Sequence, residues 1–287
     1  MQPFRVLLIN PSSERFYVPS APLGLAYLAG ALPDGAEAEG LDLNVLKWLH
    51  GLDDNGIDAT FDRYLNQSLQ HHVAPGLIGI TVYEETLPQT ERLVAIAKRY
   101  GIPTVAGGIY PTMFAEAMPD TLDWVIRGEG ETAFRLLVEA LIKREHGFSQ
   151  SVIDIPGVLY HDPQGGWRES KVNPCGSMRK EVRPRRDIFA ALNMGFRYYS
   201  ARVVSSSGCP YACKFCANSE YARREWIPRP VEDVLDEIDD TLRDDAISEI
   251  SFSDDQFLGF TPEHYRRARL LLEAIESLTR LRNLRIN

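Results

Sequence analysis

The chain is short of positive charge, of cysteine and of long apolar runs, and each shortage excludes something. Lys and Arg number 31 against 40 Asp and Glu, a formal net charge of -9 over 287 residues. That balance repels phosphate backbones and anionic headgroups, so neither nucleic acid nor a membrane surface is an expected partner. The longest apolar stretch, residues 23–32, contains two glycines and is too short to span a bilayer as a helix. Met1-Gln-Pro-Phe-Arg5 leads straight into an apolar strand pattern, with neither the basic segment nor the cleavage pattern of an export signal. Four cysteines, three of them clustered, do not make a disulfide framework, and a thiolate cluster site requires a reducing compartment. The expectation is a cytoplasmic protein whose partner is a small molecule or another protein.

An apolar content of 44% is enough for two cores. Residues 1–147 alternate β-rich runs with amphipathic helical stretches, the sequence form of a parallel sheet covered on both faces. Strands are expected at 5–9, 38–43, 77–82, 104–106 and 124–126, with helices at about 22–32, 57–72, 86–100, 113–118 and 131–145. Five strands suit a flavodoxin-like layout. Residues 148–200 turn to Pro, Gly and charge, with runs at 157–161 and 167–171 flanking Asp162-Pro-Gln-Gly-Gly166; this reads as a linker carrying a small hairpin. Residues 201–287 open with a strand at 201–206. A helix then begins near Pro230, with Val231, Val234, Leu235, Ile238 and Leu242 on one face. A second strand at 249–253 precedes a helix opened by Thr261 and Pro262, with Tyr265, Ala268, Leu272 and Ile275 inward. A third strand is expected at 284–287.

Chemistry concentrates in Gly208-Cys-Pro-Tyr-Ala-Cys-Lys-Phe-Cys-Ala-Asn218. Three thiolates at Cys209, Cys213 and Cys216 can converge on one iron-sulfur cube and leave its fourth iron without a protein ligand. A structural zinc site is the alternative, and it needs a fourth thiolate or imidazole. Cys175, the remaining cysteine, stands in the linker without a nearby His and reads as inert.

In an open parallel sheet, ligands bind at the carboxyl ends of the strands near the point where strand order reverses. The loops at those ends are Asn10-Pro-Ser-Ser13, Thr81-Val-Tyr-Glu84, Gly107-Gly-Ile-Tyr-Pro-Thr112 and Arg127-Gly-Glu-Gly-Glu131. Paired glycines let a large planar or phosphate-bearing ligand approach the backbone, and Gly128 and Gly130 at a helix start would present free N–H groups. For either pair a tight strand-to-helix turn is the alternative. Asp254 and Asp255 end the second strand of the last segment, either facing a site or forming a solvated turn.

The cysteine loop, with an aromatic just before its third Cys, resembles the signature of radical S-adenosylmethionine (SAM) enzymes. The series Asn10-Pro11, Pro22-Leu-Gly-Leu-Ala26, Gly107-Gly108 with Pro111-Thr112, and Arg127-Gly-Glu-Gly-Glu131 resembles the cobalamin-binding domain that precedes the radical SAM domain in one large enzyme class. The resemblance implies an α/β chain: a flavodoxin-like five-stranded parallel sheet over 1–147, a linker over 148–200, and the first part of a radical SAM (βα) partial barrel over 201–287. It implies a 4Fe-4S cluster on Cys209, Cys213 and Cys216, with SAM on the open iron. Phe215 would lie near the SAM adenine, and Asp254 or Asp255 would approach its amino group. Ser12, Thr81, Val82, Tyr83, Gly107, Gly108, Gly128 and Glu129 would lie near cobalamin.

Cobalamin proteins that ligate cobalt from below carry Asp-x-His-x-x-Gly after the first strand. Here that loop reads Asn-Pro-Ser-Ser-Glu, so no His lower axial ligand is expected. His50, His71, His72, His146, His161 and His264 are assigned to the surface or the linker.

The implied reaction starts with reductive cleavage of SAM, and the deoxyadenosyl radical then removes a substrate hydrogen. Methyl transfer from methylcobalamin to an unactivated carbon is the commonest outcome of the class; cyclisation and oxidation are others. A noncatalytic cobalamin or nucleotide carrier with a structural metal is the alternative from another class. Implied partners are a small-molecule substrate and an electron donor such as flavodoxin or ferredoxin. A radical SAM domain has about six strand-helix units, and residues 201–287 have room for fewer than three. The expectation is a fragment, a split product completed by another polypeptide, or a truncation, and the isolated chain is expected to bind its cofactors but turn over poorly.

Overall fold

The computed structural model describes all residues except 1, 14–19, 146–153, 163, 170–181, 193–194, 218–224, 283–284 and 287. Cys175, His146 and the expected strand residues 170–171, 284 and 287 therefore lie outside the described residues. The chain divides into two compact units. One comprises Met1–Tyr17, Gly24–Pro174 and Pro184–Phe196, and the other Val18–Leu23, Cys175–Arg183 and Arg197–Asn287.

The first unit is built on strands β1 (Phe4–Asn10), β2 (Ala36–Asp42), β3 (Leu77–Thr81), β4 (Thr104–Gly107) and β5 (Trp124–Ile126), all parallel. Val6, Leu7, Leu8 and Ile9 are buried without alternation, as an interior parallel strand covered on both faces requires. The covering helices are α1 (Leu23–Gly30), α2 (Leu43–His50), α3 (Asp54–Gln70), α4 (Leu87–Arg99), α5 (Ile109–Met113) and α6 (Gly130–Glu145). Helix α2 was not anticipated. It starts because the Asp42 carboxylate accepts the Asn44 N–H, an N-cap that ends β2 where the sequence pattern ran on through Leu43. Helix α5 comes earlier than expected, directly after Gly108, with Pro111 still inside its first turn where a missing N–H costs nothing.

The expected linker hairpin is also relocated. Strands β6 (Val158–His161) and β7 (Trp167–Glu169) pair antiparallel with each other, and β6 pairs antiparallel with β5. The sheet thus reads β2-β1-β3-β4-β5-β6-β7. The hairpin covers an edge that β5 would otherwise expose, burying Val158 and Leu159 in the process. Trp167 Nε1 donates to the Met118 carbonyl at 3.2 Å, fastening the hairpin to the segment ahead of β5.

The second unit has three parallel strands, β8 (Ser200–Val203), β11 (Glu249–Phe252) and β12 (Arg285–Ile286), in the order β12-β11-β8. A short antiparallel pair, β9 (Ser206–Ser207) and β10 (Ile227–Pro228), flanks the cysteine loop. Helices α7 (Val231–Thr241) and α8 (Pro262–Arg282) close a core of Ala201, Val203, Val234, Ile238, Leu242, Ile250, Leu271 and Ile275. Within the leucine run 270–272, it is Leu271 that turns inward. Leu272 is 46% exposed and Tyr265 50% exposed, against expectation, because three adjacent leucines leave the rotation of the helix open until packing selects it. Among the described residues no helix is long and apolar enough to cross a membrane.

Candidate functional site

Strand order reverses between β1 and β3, the point at whose carboxyl ends an open parallel sheet binds ligands. The loop after β1 is held there as a shelf. The Ser12 N–H donates to Gln89 Oε1 at 2.6 Å, and Gln89 Nε2 donates to Ser12 Oγ at 2.9 Å. The Ser13 N–H donates to Asn44 Oδ1 at 2.8 Å, and Asn44 Nδ2 donates to the Pro11 carbonyl at 3.1 Å. Asp42 Oδ1 in turn accepts from Asn10 Nδ2 at 2.9 Å. Ser12, Asp42, Asn44 and Gln89 are all buried, so the backbone polar groups of the shelf are satisfied inside the protein. No sequence signal singled out Gln89 beyond its place beside Thr90 on the buried face of α4. Gln89→Leu removes both partners of Ser12 and is expected to lower stability by about 1–3 kcal/mol, measurable by urea unfolding.

The loops after β3 and β4 meet. Thr81 stands opposite Gly107 in the ladder, and the Val82 N–H donates to the Gly107 carbonyl at 2.8 Å. Gly108 has φ +110°, and a Cβ there would lie 3.0 Å from Thr81 Oγ1, so the fold itself demands glycine. Gly107 differs: a Cβ would meet nothing nearer than 3.9 Å. The fold leaves that strand end bare without needing to. Tyr83 stands at the rim, its ring partly exposed and its N–H donated to Thr86 Oγ1 at 3.0 Å.

Thr112 joins the next two loops. Its hydroxyl donates to the Gly108 carbonyl at 2.7 Å, and its oxygen accepts the Gly128 N–H at 3.0 Å. Gly128, at φ +85°, therefore turns the chain but does not present the free N–H expected of it. Glu129 is half-buried next to it, and α6 begins at Gly130. The structure thus gathers Thr81, Val82, Gly107, Gly108 and Gly128 along adjacent strand ends. It turns the polar groups of Ser12 toward Gln89.

In the second unit the expected strand 201–206 is two pieces, because the chain bends at Val204-Ser205 before β9. Gly208, at φ +78°, then releases the cysteine loop from the carboxyl side of β8. Cys209 and Cys216 are half-buried, Cys213 is exposed, and none of the three forms a disulfide among the described residues. The Cys216 N–H donates to the Cys213 carbonyl at 3.0 Å, which tightens the turn between them. Phe215 is 92% exposed. Among the described residues no three His, Cys, Asp or Glu side chains stand close enough to hold a metal ion, so the thiols are not yet convergent. As a donor set they nonetheless fit a cluster: three accessible soft ligands on one short turn.

Asp254 does not point outward. Its carboxylate accepts the Ser205 N–H at 3.0 Å, the Ser205 hydroxyl at 2.7 Å and the Ser206 hydroxyl at 2.6 Å. Asp255 beside it is exposed. Behind the two serines lies a buried ion pair that the sequence pattern did not disclose. Arg229 and Glu237 meet at 2.7 Å with side chains 3% and 2% exposed. Arg229 Nη1 also donates to the Val204 carbonyl at 2.7 Å, and Arg267 Nη2 to the carbonyls of Ser205 and Arg229 at 2.6 Å each. Burial lowers the pKa of the Arg267 guanidinium, the carboxylate of Asp254 opposes that shift, and Arg229 adds to it.

The B12 binding domain family matches residues 14–138. An uncharacterized methyltransferase of Pyrococcus horikoshii is 28% identical over 273 residues, covering 90% of this chain and 54% of its own length. The anaerobic magnesium-protoporphyrin IX monomethyl ester cyclase of Rubrivivax gelatinosus is 24% identical, over 92% of this chain and 48% of its own. Among solved structures, the radical SAM methyltransferase TsrM from Kitasatospora setae, with cobalamin and a 4Fe-4S cluster bound, has a TM-score of 0.72 at 21% identity. That likeness covers 99% of this chain and 54% of TsrM. The class is therefore an α/β protein with the fold of the cobalamin-dependent radical SAM proteins. Residues 14–138 are similar to the B12 binding domain, and the chain spans about half the length of the curated relatives it matches.

Proposed function

We propose that this chain is the cobalamin-binding and cluster-binding part of a radical SAM enzyme that transfers a methyl group to an unactivated carbon of a small molecule. One observation carries the reading: a B12 binding domain match and a Cys209/Cys213/Cys216 loop at a parallel-strand end occur in the same chain. When bound, the cluster supplies the electron that breaks the SAM carbon–sulfur bond, and cobalamin supplies the methyl carrier. The three thiolates hold the cluster. The shelf at residues 10–13 and the bare strand ends at Gly107 and Gly108 receive the corrin, and no imidazole in that shelf reaches cobalt from below. Asp255 and Phe215, exposed near strand ends, are the side chains offered to SAM. A reducing cytoplasm, a flavodoxin or ferredoxin as electron donor, and a polypeptide completing the barrel belong to the same proposal.

Anaerobic reconstitution with iron and sulfide tests it. A brown protein that cleaves SAM once reduced supports the enzyme. Stoichiometric zinc with no cleavage favours a cobalamin carrier with a structural metal. The similarity to the magnesium-protoporphyrin ester cyclase gives a second reading, ring closure. Formation of S-adenosylhomocysteine alongside deoxyadenosine distinguishes methyl transfer from it.

Gly107 offers a more local test. Gly107→Val places a β-favouring side chain where the protein leaves room, so the melting temperature is expected to hold. The same side chain intrudes on the corrin's place at a cost of about 1–3 kcal/mol, roughly 5- to 150-fold in affinity. Titration with hydroxocobalamin, followed by visible absorbance, reads this directly, and unchanged affinity removes Gly107 from the site.

A further inference from the structure

We propose that Asp254 is a positioning residue that anchors the root of the cysteine loop, and does not face SAM; this rests on the cluster reading above. Its two oxygens take three donors from Ser205 and Ser206, and Ser206 stands three positions before Cys209. Ser205 and Ser206 are buried, so an ammonium group drawing the carboxylate away would leave two hydroxyls and an N–H to find other partners away from water.

The rest of the root is held just as fully. The Val203 carbonyl accepts the Ser253 N–H at 2.9 Å, the Val204 carbonyl accepts Arg229 Nη1, and the Ser205 carbonyl accepts both the Arg229 N–H at 2.9 Å and Arg267 Nη2. The Ser206 hydroxyl also lies 3.0 Å from the Gln256 carbonyl, which accepts Trp226 Nε1–H at 2.6 Å. Three separate elements thus fix residues 203–206: the end of β11, the entry to α7 and the body of α8. Arg229 is paired with Glu237, and the Asp254 carboxylate partly offsets the burial that lowers the pKa of Arg267. The three cysteines beyond Gly208 follow directly on this hydrogen-bonded base, and removing Asp254 loosens that base while leaving every cysteine in place.

The test compares this chain with Asp254→Asn, Asp254→Leu and the Ser205→Ala/Ser206→Ala double variant after anaerobic reconstitution. Cluster retention under a chelator and the electron paramagnetic resonance spectrum of the reduced cluster, with and without SAM, are measured for each. Asp254→Leu is expected to retain roughly tenfold less cluster and to show a shifted spectrum, with the double variant shifting the same way. Asp254→Asn, which keeps an acceptor for Ser205, is expected to restore most of both. Wild-type retention in Asp254→Leu or in the double variant overturns the proposal. So does an Asp254→Asn protein that holds its cluster normally yet no longer responds to SAM, since that marks a SAM contact. A wild-type chain that takes up no iron fails at the earlier step and overturns the cluster reading itself. Should Asp254→Leu not fold, the asparagine and double-serine variants decide.

Discussion

A chain in which Cys209, Cys213 and Cys216 are all alanine takes up no iron on anaerobic reconstitution, while the parent chain turns brown. The expected loss is complete because the three irons with protein ligands would all lose their thiolates, and among the described residues these three are the only cysteines. The fold is expected to survive the change. Cys213 is exposed and the other two half-buried, so no core contact is removed and far-UV circular dichroism should be unaltered. Zinc content separates the two metal readings in the same experiment: a structural zinc site loses zinc in the variant and never takes iron in the parent. Iron bound equally by both proteins rules out the cysteine loop as the ligand set.

Glu237→Ala is expected to cost about 3–5 kcal/mol, the largest stability effect of any single substitution in the second unit, because it strands the Arg229 guanidinium in the interior. Typical domains have only about 5–15 kcal/mol in total, so the second unit would approach its unfolding threshold at room temperature. Urea unfolding measures the loss. The contrast is Arg269–Glu273, at 2.7 Å an equally close pair but 80% and 54% exposed on α8, where Glu273→Ala is expected to leave the midpoint unmoved. Desolvation separates the two pairs, since distance does not. Replacing both buried partners with apolar residues, Arg229→Met with Glu237→Leu, is expected to recover most of the loss. If Glu237→Ala unfolds like the parent, the ion pair is not as dry as the structure has it.

How much was legible depended on whether neighbouring residues along the chain carried the signal. Alternation of apolar strands and amphipathic helices announced a parallel sheet, and Val6 to Ile9 fit it because burial on both faces needs no tertiary partner to be foreseen. The cysteine spacing was equally local. Glu237 was not legible: on α7 it occupies an acidic run, Glu232 to Asp240, in which nothing marks one carboxylate for burial until Arg229 folds beneath it. Thr112 carried no role until it bridged two loops. Asp254 read as a carboxylate at a strand end, and its hydrogen bonds to Ser205 and Ser206 were not legible in the sequence.

Strand periodicity, the strand-end glycines and the spacing of the three thiols are written in consecutive residues, so composition and order alone set the layered architecture and the grouping of the thiols on one loop. Contacts between distant segments decided the rest. The hairpin joined the sheet because β5 had an open edge, Leu271 rather than Leu272 faced inward because one helix rotation packs, and Asp254 turned toward Ser205 because buried hydroxyls need an acceptor. Each of these is a competition between desolvation and pairing, and its outcome exists only once both partners occupy the same space.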